Sequence, residues 1–540
     1  MSTPSRNNPC PCGSGRKYKN CCFGKDAAIQ QLPAPANDQL LRVALQHHQA
    51  GRLLDADSYY QAILRSAPNH PEALHLSGLI AYQTGKYPLA IELIGNAINI
   101  KPSAQMHYNL GNVFREQGNL DAAVECFRRA VSIKPDYTQA YNNLGIVYQA
   151  QGVMAAAAES YRKALSLKPD YAEAHNNLGI VLRAQGEPDA AAESYRMALA
   201  FKPNYAEAHY GLGNAFHEQG RLDEAVFHYR QALSLKPNDA EIYNSLGIVL
   251  QKQRKIDEAI NCYRSALSLH PDYADAFGNL GGALRAQGHL DEALACFQQV
   301  IRLMPGNDMA QHQIASLTGN NTERAPAQYV ESVFDDYADK FDAHLQQGLK
   351  YDIPQKMAAL IAQHSTPSAA KWDVLDLGCG TGLAGLAFAP FARRLVGVDL
   401  STKMLEKARE RNVYQRLEHS DLITMLRGEA DSSYDVIIAA DVFVYLGKLD
   451  EIVGEIKRLL RPGGVFTFSV EAAEAPSNEK PEQSDQQEYR LEITGRYTHA
   501  SGYINRLAAS NDFLVRDMAE TQIRVERERP VNGYLVLWQR

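Results

Sequence analysis

From Asn37 to Asn307 the chain repeats itself every 34 residues, shortened once to 33. No other feature restricts the fold as strongly, because units of this length cannot bury their apolar faces singly and must stack on a neighbour. Proline closes each unit, at Pro68, Pro102, Pro135, Pro169, Pro203, Pro237, Pro271 and Pro305, and alanine stands twelve residues earlier, from Ala56 to Ala293. Gly78, Gly111, Gly145, Gly179, Gly213, Gly247 and Gly281 mark the first helix, and Phe127, Tyr161, Tyr195, Tyr229, Tyr263 and Phe297 recur between them. Small residues let paired helices approach, an aromatic ring fills the space beside them, and proline ends the pair. Cys126, Cys262 and Cys296 share one repeat position next to that ring, which makes them structural thiols. Two departures stand out: Ala44 replaces glycine in the first unit, as in a capping unit, and Arg254 replaces the turn glycine of the seventh, which predicts a slightly altered turn. Met309 to Leu317, apolar at helical spacing, is expected to cover the last unit.

With these positions filled, the array is similar to tetratricopeptide repeats, eight of them. The resemblance implies a superhelix with a concave binding groove. Asn109, Asn143, Asn177 and Asn279 precede Leu-Gly on the face expected to line that groove, with Gly211 and Ser245 interrupting the series. A side-chain amide both donates and accepts, so a ladder of amides can hold an extended peptide without reading its sequence. In this respect the array resembles the repeats of O-linked N-acetylglucosamine transferase. Asparagine at this place also belongs to the ordinary repeat consensus, and the two readings weigh equally.

The eight cysteines are unevenly spread. Four lie in Pro9-Cys10-Pro11-Cys12-Gly13-Ser14-Gly15-Arg16-Lys17-Tyr18-Lys19-Asn20-Cys21-Cys22, a segment too short to fold on its own apolar surface. Cys10, Cys12, Cys21 and Cys22 can close a tetrahedral zinc site that couples metal binding to local folding, with the neighbouring basic residues offsetting the thiolate charge. The segment resembles the SEC-C motif, a small zinc-binding module also found in the secretion motor SecA, which implies Zn2+ as a ligand.

At 540 residues the chain is too long for one core, and a length prior expects about three to four domains. Its composition, 45% hydrophobic and 22% charged, is that of a globular protein. The absence of an apolar run of about 18 residues argues against a membrane span, and the polar start shows no signal peptide, so a cytoplasmic location is expected. A formal charge of -7 argues against nucleic acid as the main partner.

After the polar linker Gly319-Asn320-Asn321, aromatic and apolar residues from Tyr329 to Asp342 fall at helical spacing. Short apolar runs then alternate with helical stretches: Val374 to Leu377, Leu395 to Val398, Arg416 to His419, Val436 to Ala440 and Val465 to Val470. That alternation predicts a parallel sheet with helices on both faces. Two final runs, from Phe513 and from Tyr534, have no helix between them and predict a terminal hairpin with a reversed strand.

The first of these strands ends in Asp376-Leu377-Gly378-Cys379-Gly380-Thr381-Gly382, and acids recur at later strand ends: Asp399, Asp421 and Asp441. Gly378, Gly380 and Gly382 allow a tight turn and close approach of a ligand to the backbone, ahead of a helix that presents free N–H groups. Ligands cross an open parallel sheet at this carboxyl edge. A dehydrogenase turn reads G-x-G-x-x-G, whereas the spacing here is G-x-G-x-G with an acid two residues before it.

Together with Ser420-Asp421-Leu422, Ala440-Asp441-Val442 and Leu460-Arg461-Pro462-Gly463-Gly464, the turn resembles that of class I S-adenosylmethionine-dependent methyltransferases. More narrowly, Phe334 to Phe341 and Gly533-Tyr534-Leu535 resemble a bacterial group of predicted methyltransferases that carry tetratricopeptide repeats. The expected fold is multi-domain: an all-α superhelical repeat array followed by an α/β doubly wound, Rossmann-like domain with a reversed C-terminal strand. The expected domains are residues 1–25, 37–318 and 328–540. The resemblance implies S-adenosyl-L-methionine bound by Asp376, Gly378, Gly380, Gly382, Asp399, Leu400, Asp421 and Leu422, with Asp399 accepting ribose hydroxyls and Asp421 an adenine amino group. Asp441 and His499 are candidate bases, although methyl transfer needs alignment more than proton removal. Tyr337 and Phe341 are candidate lid residues. Ala440-Asp441-Val442-Phe443 differs from the Asn-Pro-Pro-aromatic of enzymes acting on planar nitrogens, and the polar segment from Ala472 to Glu488 reads as a mobile loop. A repeat array of this size favours a protein or protein-tethered acceptor. The alternative is an interaction scaffold with a cofactor-sensing, weakly active or inactive methyltransferase domain.

Overall fold

The computed structural model describes residues 17, 37–335, 338, 341–343, 345, 349, 351–364, 371–473, 488–526 and 529–540. Cys10, Cys12, Cys21, Cys22, Tyr337 and most of the 472–488 segment lie outside the described residues. The chain forms two compact units, which part between Leu269 and His270.

From Asn37–Gln49 to Ile256–Leu269 the first unit is built of helices, which pack in consecutive pairs. The repeat glycines explain the pairing. A Cβ at Gly145 would stand 2.6 Å from Tyr161, at Gly179 2.7 Å from Tyr195, and at Gly247 2.5 Å from Tyr263, so only glycine admits the ring of the second helix. These rings are fully buried or nearly so. The hydroxyls of Tyr161 and Tyr263 find partners within the repeat, Tyr161 donating to Gln149 at 3.1 Å and Tyr263 to Gln251 at 2.9 Å. Cys126 is buried and Cys262 half-buried, and burial pushes both thiols up to about 11, in keeping with structural roles.

The expectation of an altered turn at Arg254 is corrected. Arg254 takes φ +63°, as Gly220 does at +72°, and both turns close with the same two backbone bonds to the preceding helix. The left-handed conformation costs a side chain roughly 1–2 kcal/mol, which a well-bonded turn can bear.

The second unit begins with the helix pair Ala274–Gln287 and Leu290–Leu303 and the capping helix Asp308–Thr318, and also contains a sheet domain. The sheet contains β1 (Trp372–Leu377), β2 (Ala392–Asp399), β3 (Arg416–His419), β4 (Tyr434–Ala439), β5 (Leu460–Ala472), β6 (Tyr489–Leu491), β7 (Tyr497–His499), β8 (Leu514–Glu526) and β9 (Arg529–Gln539). The order β3-β2-β1-β4-β5 is parallel, and β5 then takes two neighbours. Antiparallel β9 runs along Val465 to Glu471 and carries β8 on its far side, while the short β7 and β6 attach at the end of β5. The expected terminal hairpin is therefore present, and β6–β7 is an additional element that the sequence reading missed. One apolar layer, including Leu375, Ile437, Phe466 and Trp538, lies on one face, and Val374, Val436, Ile353 and Leu537 belong to the other.

The segment expected as a polar linker, with the residues that follow it, is bonded to the sheet domain. Asn321 donates to the carbonyl of Tyr489 at 2.8 Å and accepts the N–H of Leu491 at 2.7 Å. The Glu323 carbonyl accepts the N–H groups of Gly447 and Lys448, both at 2.9 Å, and Ala325 donates to the Tyr445 carbonyl at 2.9 Å. His312 of the capping helix, 1% exposed, contacts the Gly495 carbonyl through Nε2 at 3.1 Å. Among the described residues no helix is long and apolar enough to cross a membrane.

Candidate active site at the carboxyl edge of the sheet

β1 delivers Asp376 and the glycine turn to the middle of the sheet edge. Gly378, Gly380 and Gly382 have φ of +62°, +54° and +87°, a succession only glycine takes without strain. The three serve different ends. A Cβ at Gly378 would stand 2.6 Å from Val442, so the turn is pressed against the segment after β4. A Cβ at Gly382 would stand 3.0 Å from Tyr414 and Arg411. At Gly380 the nearest atom would be 3.8 Å away, on Phe341, so the backbone there faces open space beneath that ring.

Asp399, at the end of β2, folds back onto the turn. Its Oδ2 accepts the Gly380 N–H at 2.8 Å and its Oδ1 the Ser401 N–H at 2.9 Å. Burial raises the carboxyl, and the hydrogen bonds from Ser401, Gly380 and Leu400 work against that rise. Asp376 is 1% exposed; Tyr414 donates to its Oδ2 at 2.6 Å, while Oδ1 has no partner. Burial pushes Asp376 up to about 7 against the Tyr414 bond, with Asp399 adding to the rise.

Asp421 caps the helix Leu422–Gly428, accepting the Ile423 N–H at 3.1 Å, and its Oδ2 lies 3.8 Å from Arg324. Leu400 presents its carbonyl to His419 Nε2 at 2.7 Å. The segment before β1 reaches over this edge. Ser401 donates to Asp335, at the end of the helix Ala327–Asp335, and Asp342 receives both Thr381 and Arg411. Phe334 meets Phe341 and Tyr445 edge to face.

The two candidate bases are placed differently from one another. Asp441 is exposed in part and gripped by Arg524, whose Nη1 lies 2.9 and 3.2 Å from its two oxygens. His499 is wholly buried; its Nε2 lies 2.9 Å from the Leu446 carbonyl and 3.1 Å from that of Gly447, and Nδ1 has no partner. Burial pushes the imidazole down to about 4, so the expectation of a base titrating near neutrality gives way to a neutral ring that holds the loop after β4. Sequence reasoning missed Tyr414, Arg524, Glu471 and Arg496 altogether.

In the array, the amide series is already engaged. Asn109 meets His75 Nε2 at 2.8 Å, Asn143 donates to Asn112 at 2.8 Å, and Asn177 to Asn142 at 3.4 Å. The interruption at Gly211 has a steric origin: a Cβ there would stand 2.4 Å from Tyr195, which also fills the space beside Gly179. Among the described residues no cluster of His, Cys, Asp and Glu could hold a metal.

Several known families match parts of the chain. A methyltransferase-domain model matches residues 375–466, a SEC-C motif residues 6–24, and tetratricopeptide repeat models residues 44–102 and 111–152. The C-terminal domain of cilia and flagella-associated protein 70 matches residues 136–340. The chain is 30% identical to a malonyl-[acyl-carrier protein] O-methyltransferase of Pectobacterium atrosepticum, over 27% of this chain and 55% of that protein. It is 34% identical to the enzyme of the same name from Halalkalibacterium halodurans, over 24% and 51%. A probable S-adenosylmethionine-dependent methyltransferase of Mycolicibacterium smegmatis is 33% identical over 20% and 42%. The chain thus spans about half the length of the curated relatives it matches. Among solved structures, MamA protein shares 27% identity over 32% of this chain and 93% of that one, with a TM-score of 0.30. The chain carries tetratricopeptide repeats, a SEC-C motif and a methyltransferase domain.

Proposed function

We propose that the chain is an S-adenosylmethionine-dependent methyltransferase, acting in the cytoplasm, whose repeat array brings it a protein or protein-tethered acceptor. The observation that carries this reading is the glycine turn, bent by three positive φ angles, open above Gly380 and tied to the Asp399 carboxylate. The residues present fit the cofactor. The Asp399 oxygens accept the Gly380 and Ser401 N–H groups, and a carboxylate's further lone pairs can take a ribose hydroxyl. Asp376 keeps a buried oxygen without a partner, suited to a cationic amine at the amino-acid end. Asp421 and Leu422 would flank the base, with Leu400 beside the ribose.

When bound, the cofactor supplies an electrophilic methyl group. The chain's own work is to orient that group, hold the acceptor and exclude water. Phe341 over Gly380, and the Asp342 contacts to Thr381 and Arg411, would cover the cofactor's face.

Calorimetry with S-adenosylmethionine tests the reading, together with methyl incorporation into a cell lysate and identification of the labelled product. Binding that Asp399→Ala abolishes, with labelling, is expected; no binding refutes it, and binding without transfer favours the scaffold. For the array, alanine at Asn109, Asn143, Asn177 and Asn279 should weaken partner capture. Cys10, Cys12, Cys21 and Cys22 would hold Zn2+, giving about one zinc per chain that a four-serine replacement removes.

A further inference from the structure

Beside the glycine turn lies a group of charges that the cofactor reading does not use. Asp441 follows β4 with φ +60°, and its N–H donates to Ser469 Oγ at 2.9 Å. The next residue, Val442, is the one that would meet a Cβ on Gly378 at 2.6 Å, so Asp441 stands immediately next to the turn. Arg524 reaches it from β8 of the terminal hairpin. Its side chain is 2% exposed, against 22% for that of Asp441. Its other donors go to Glu471 and, at 2.6 Å, to Glu526. Arg496 pairs with Glu526 and lies 3.8 Å from Glu471.

A buried guanidinium is costly, and an apolar side chain would suit the packing as well or better. What a guanidinium adds is direction: it fixes a carboxylate in one orientation through a rigid fork. Here the buried partner is the arginine and the partly open one is the carboxylate.

Resting on the methyltransferase reading above, we propose that Arg524 is a positioning residue that fixes the Asp441 carboxylate beside the glycine turn as a hydrogen-bond acceptor for the atom to be methylated. That atom therefore carries hydrogen, as in an amine or hydroxyl. A carboxylate acceptor is disfavoured, because it would bring a further negative charge to a group in which Asp441, Glu471 and Glu526 already outnumber Arg524 and Arg496.

The test uses the full chain as wild type, Arg524→Lys, Arg524→Met and Asp441→Asn. Each is titrated with S-adenosylmethionine and then supplied with methyl-labelled cofactor and a cell lysate. Cofactor affinity is expected to stay within about twofold throughout, while labelling falls at least about tenfold in Arg524→Met and Asp441→Asn and recovers to within about threefold in Arg524→Lys. The wild-type label is expected to survive mild alkali. Release of label as methanol would identify a carboxyl ester and overturn the proposal while leaving the methyltransferase reading intact. Unchanged labelling in Arg524→Met, lysine no better than methionine, or wild-type cofactor binding without any label would also overturn it. Should Arg524→Met fail to bind cofactor through misfolding, Arg524→Lys against Asp441→Asn carries the comparison. No cofactor binding by the wild type refutes the underlying reading instead.

Discussion

Tyr414 donates its hydroxyl to Asp376 at 2.6 Å, and the second oxygen of that carboxyl is buried with nothing to receive. Burial therefore dominates over the one hydrogen bond, and Asp376 is pushed up from 3.8 to about 7. The native protein then holds a proton that the unfolded chain releases near pH 4. The contribution of this group is complete below that pH and is lost as pH rises through about 7, by roughly 4 kcal/mol at most. Asp376→Asn lacks this loss, so its melting temperature should gain on that of the wild type between pH 4 and pH 7. A cationic amine on the cofactor would favour the ionised form, so cofactor affinity should climb over the same range in the wild type and stay flat in the variant. Thermal melts and calorimetry at pH 5 and pH 8 measure both.

His499 works in the opposite direction. Its folded value of about 4 lies below the ordinary 6.5, so its contribution is present above 6.5 and is lost as pH falls through about 4, by roughly 3 kcal/mol at most. The two slopes oppose each other between pH 4 and 6.5, and the wild-type curve alone cannot separate them. His499→Gln should remove the acid-side loss while costing about 1–3 kcal/mol at pH 7 through the broken contacts to Leu446 and Gly447. Melting curves of the two single variants against the wild type resolve the slopes. Cofactor affinity is expected to be untouched by His499→Gln.

These two residues also show where a sequence can be read and where it cannot. The glycine turn was legible because its chemistry is contiguous: five successive positions fix the bend, and the acid two residues before it is positioned by the strand. The repeats were legible because the same contact, Gly145 against Tyr161 or Gly247 against Tyr263, is written again in each unit. Arg524 gave no such signal. Its partners Asp441 and Glu471 are 83 and 53 positions away, and an arginine between Ile523 and Val525 looks like the outward residue of an alternating strand. In the fold it points inward. The burial of His499 was not legible for the same reason, since only the tertiary structure buries a polar ring. The ties of the Gly319-Asn320-Asn321 linker were not legible because side-chain amides that serve a distant backbone, as Asn321 serves Tyr489 and Leu491, are indistinguishable in sequence from those that serve water.

Gly378 and Gly380 separate a structural glycine from a ligand-facing one. Both have positive φ, so alanine at either place should cost about 1–2 kcal/mol in backbone strain. At Gly378 the added methyl must also displace Val442, and a further loss of about 1–3 kcal/mol is expected. At Gly380 it meets nothing closer than 3.8 Å, so stability should suffer no more than the strain. Cofactor binding should reverse the order of severity, because the methyl at Gly380 occupies the space kept open for the ligand. Denaturant midpoints and calorimetric titration of the two variants test the separation; equal affinity losses would show that Gly380 does not face the cofactor.

The gap in the asparagine series gives a prediction in the array. If the series had merely lost one member at Gly211, restoring asparagine there should extend the ladder and strengthen partner binding. The structure points the other way. Tyr195 lies against Gly179 of its own unit and Gly211 of the next, and a Cβ at Gly211 would overlap the ring at 2.4 Å. Tyr195 is 1% exposed, so the ring has no outward rotation that avoids the overlap without emptying its place. Gly211→Asn should therefore destabilise the protein by about 1–3 kcal/mol, the usual cost of overpacking. The double variant with Tyr195→Leu should recover part of that loss, because the two positions share one space. Denaturant unfolding of the singles and the double forms a mutant cycle, and additive losses would show that Tyr195 is not what keeps position 211 empty.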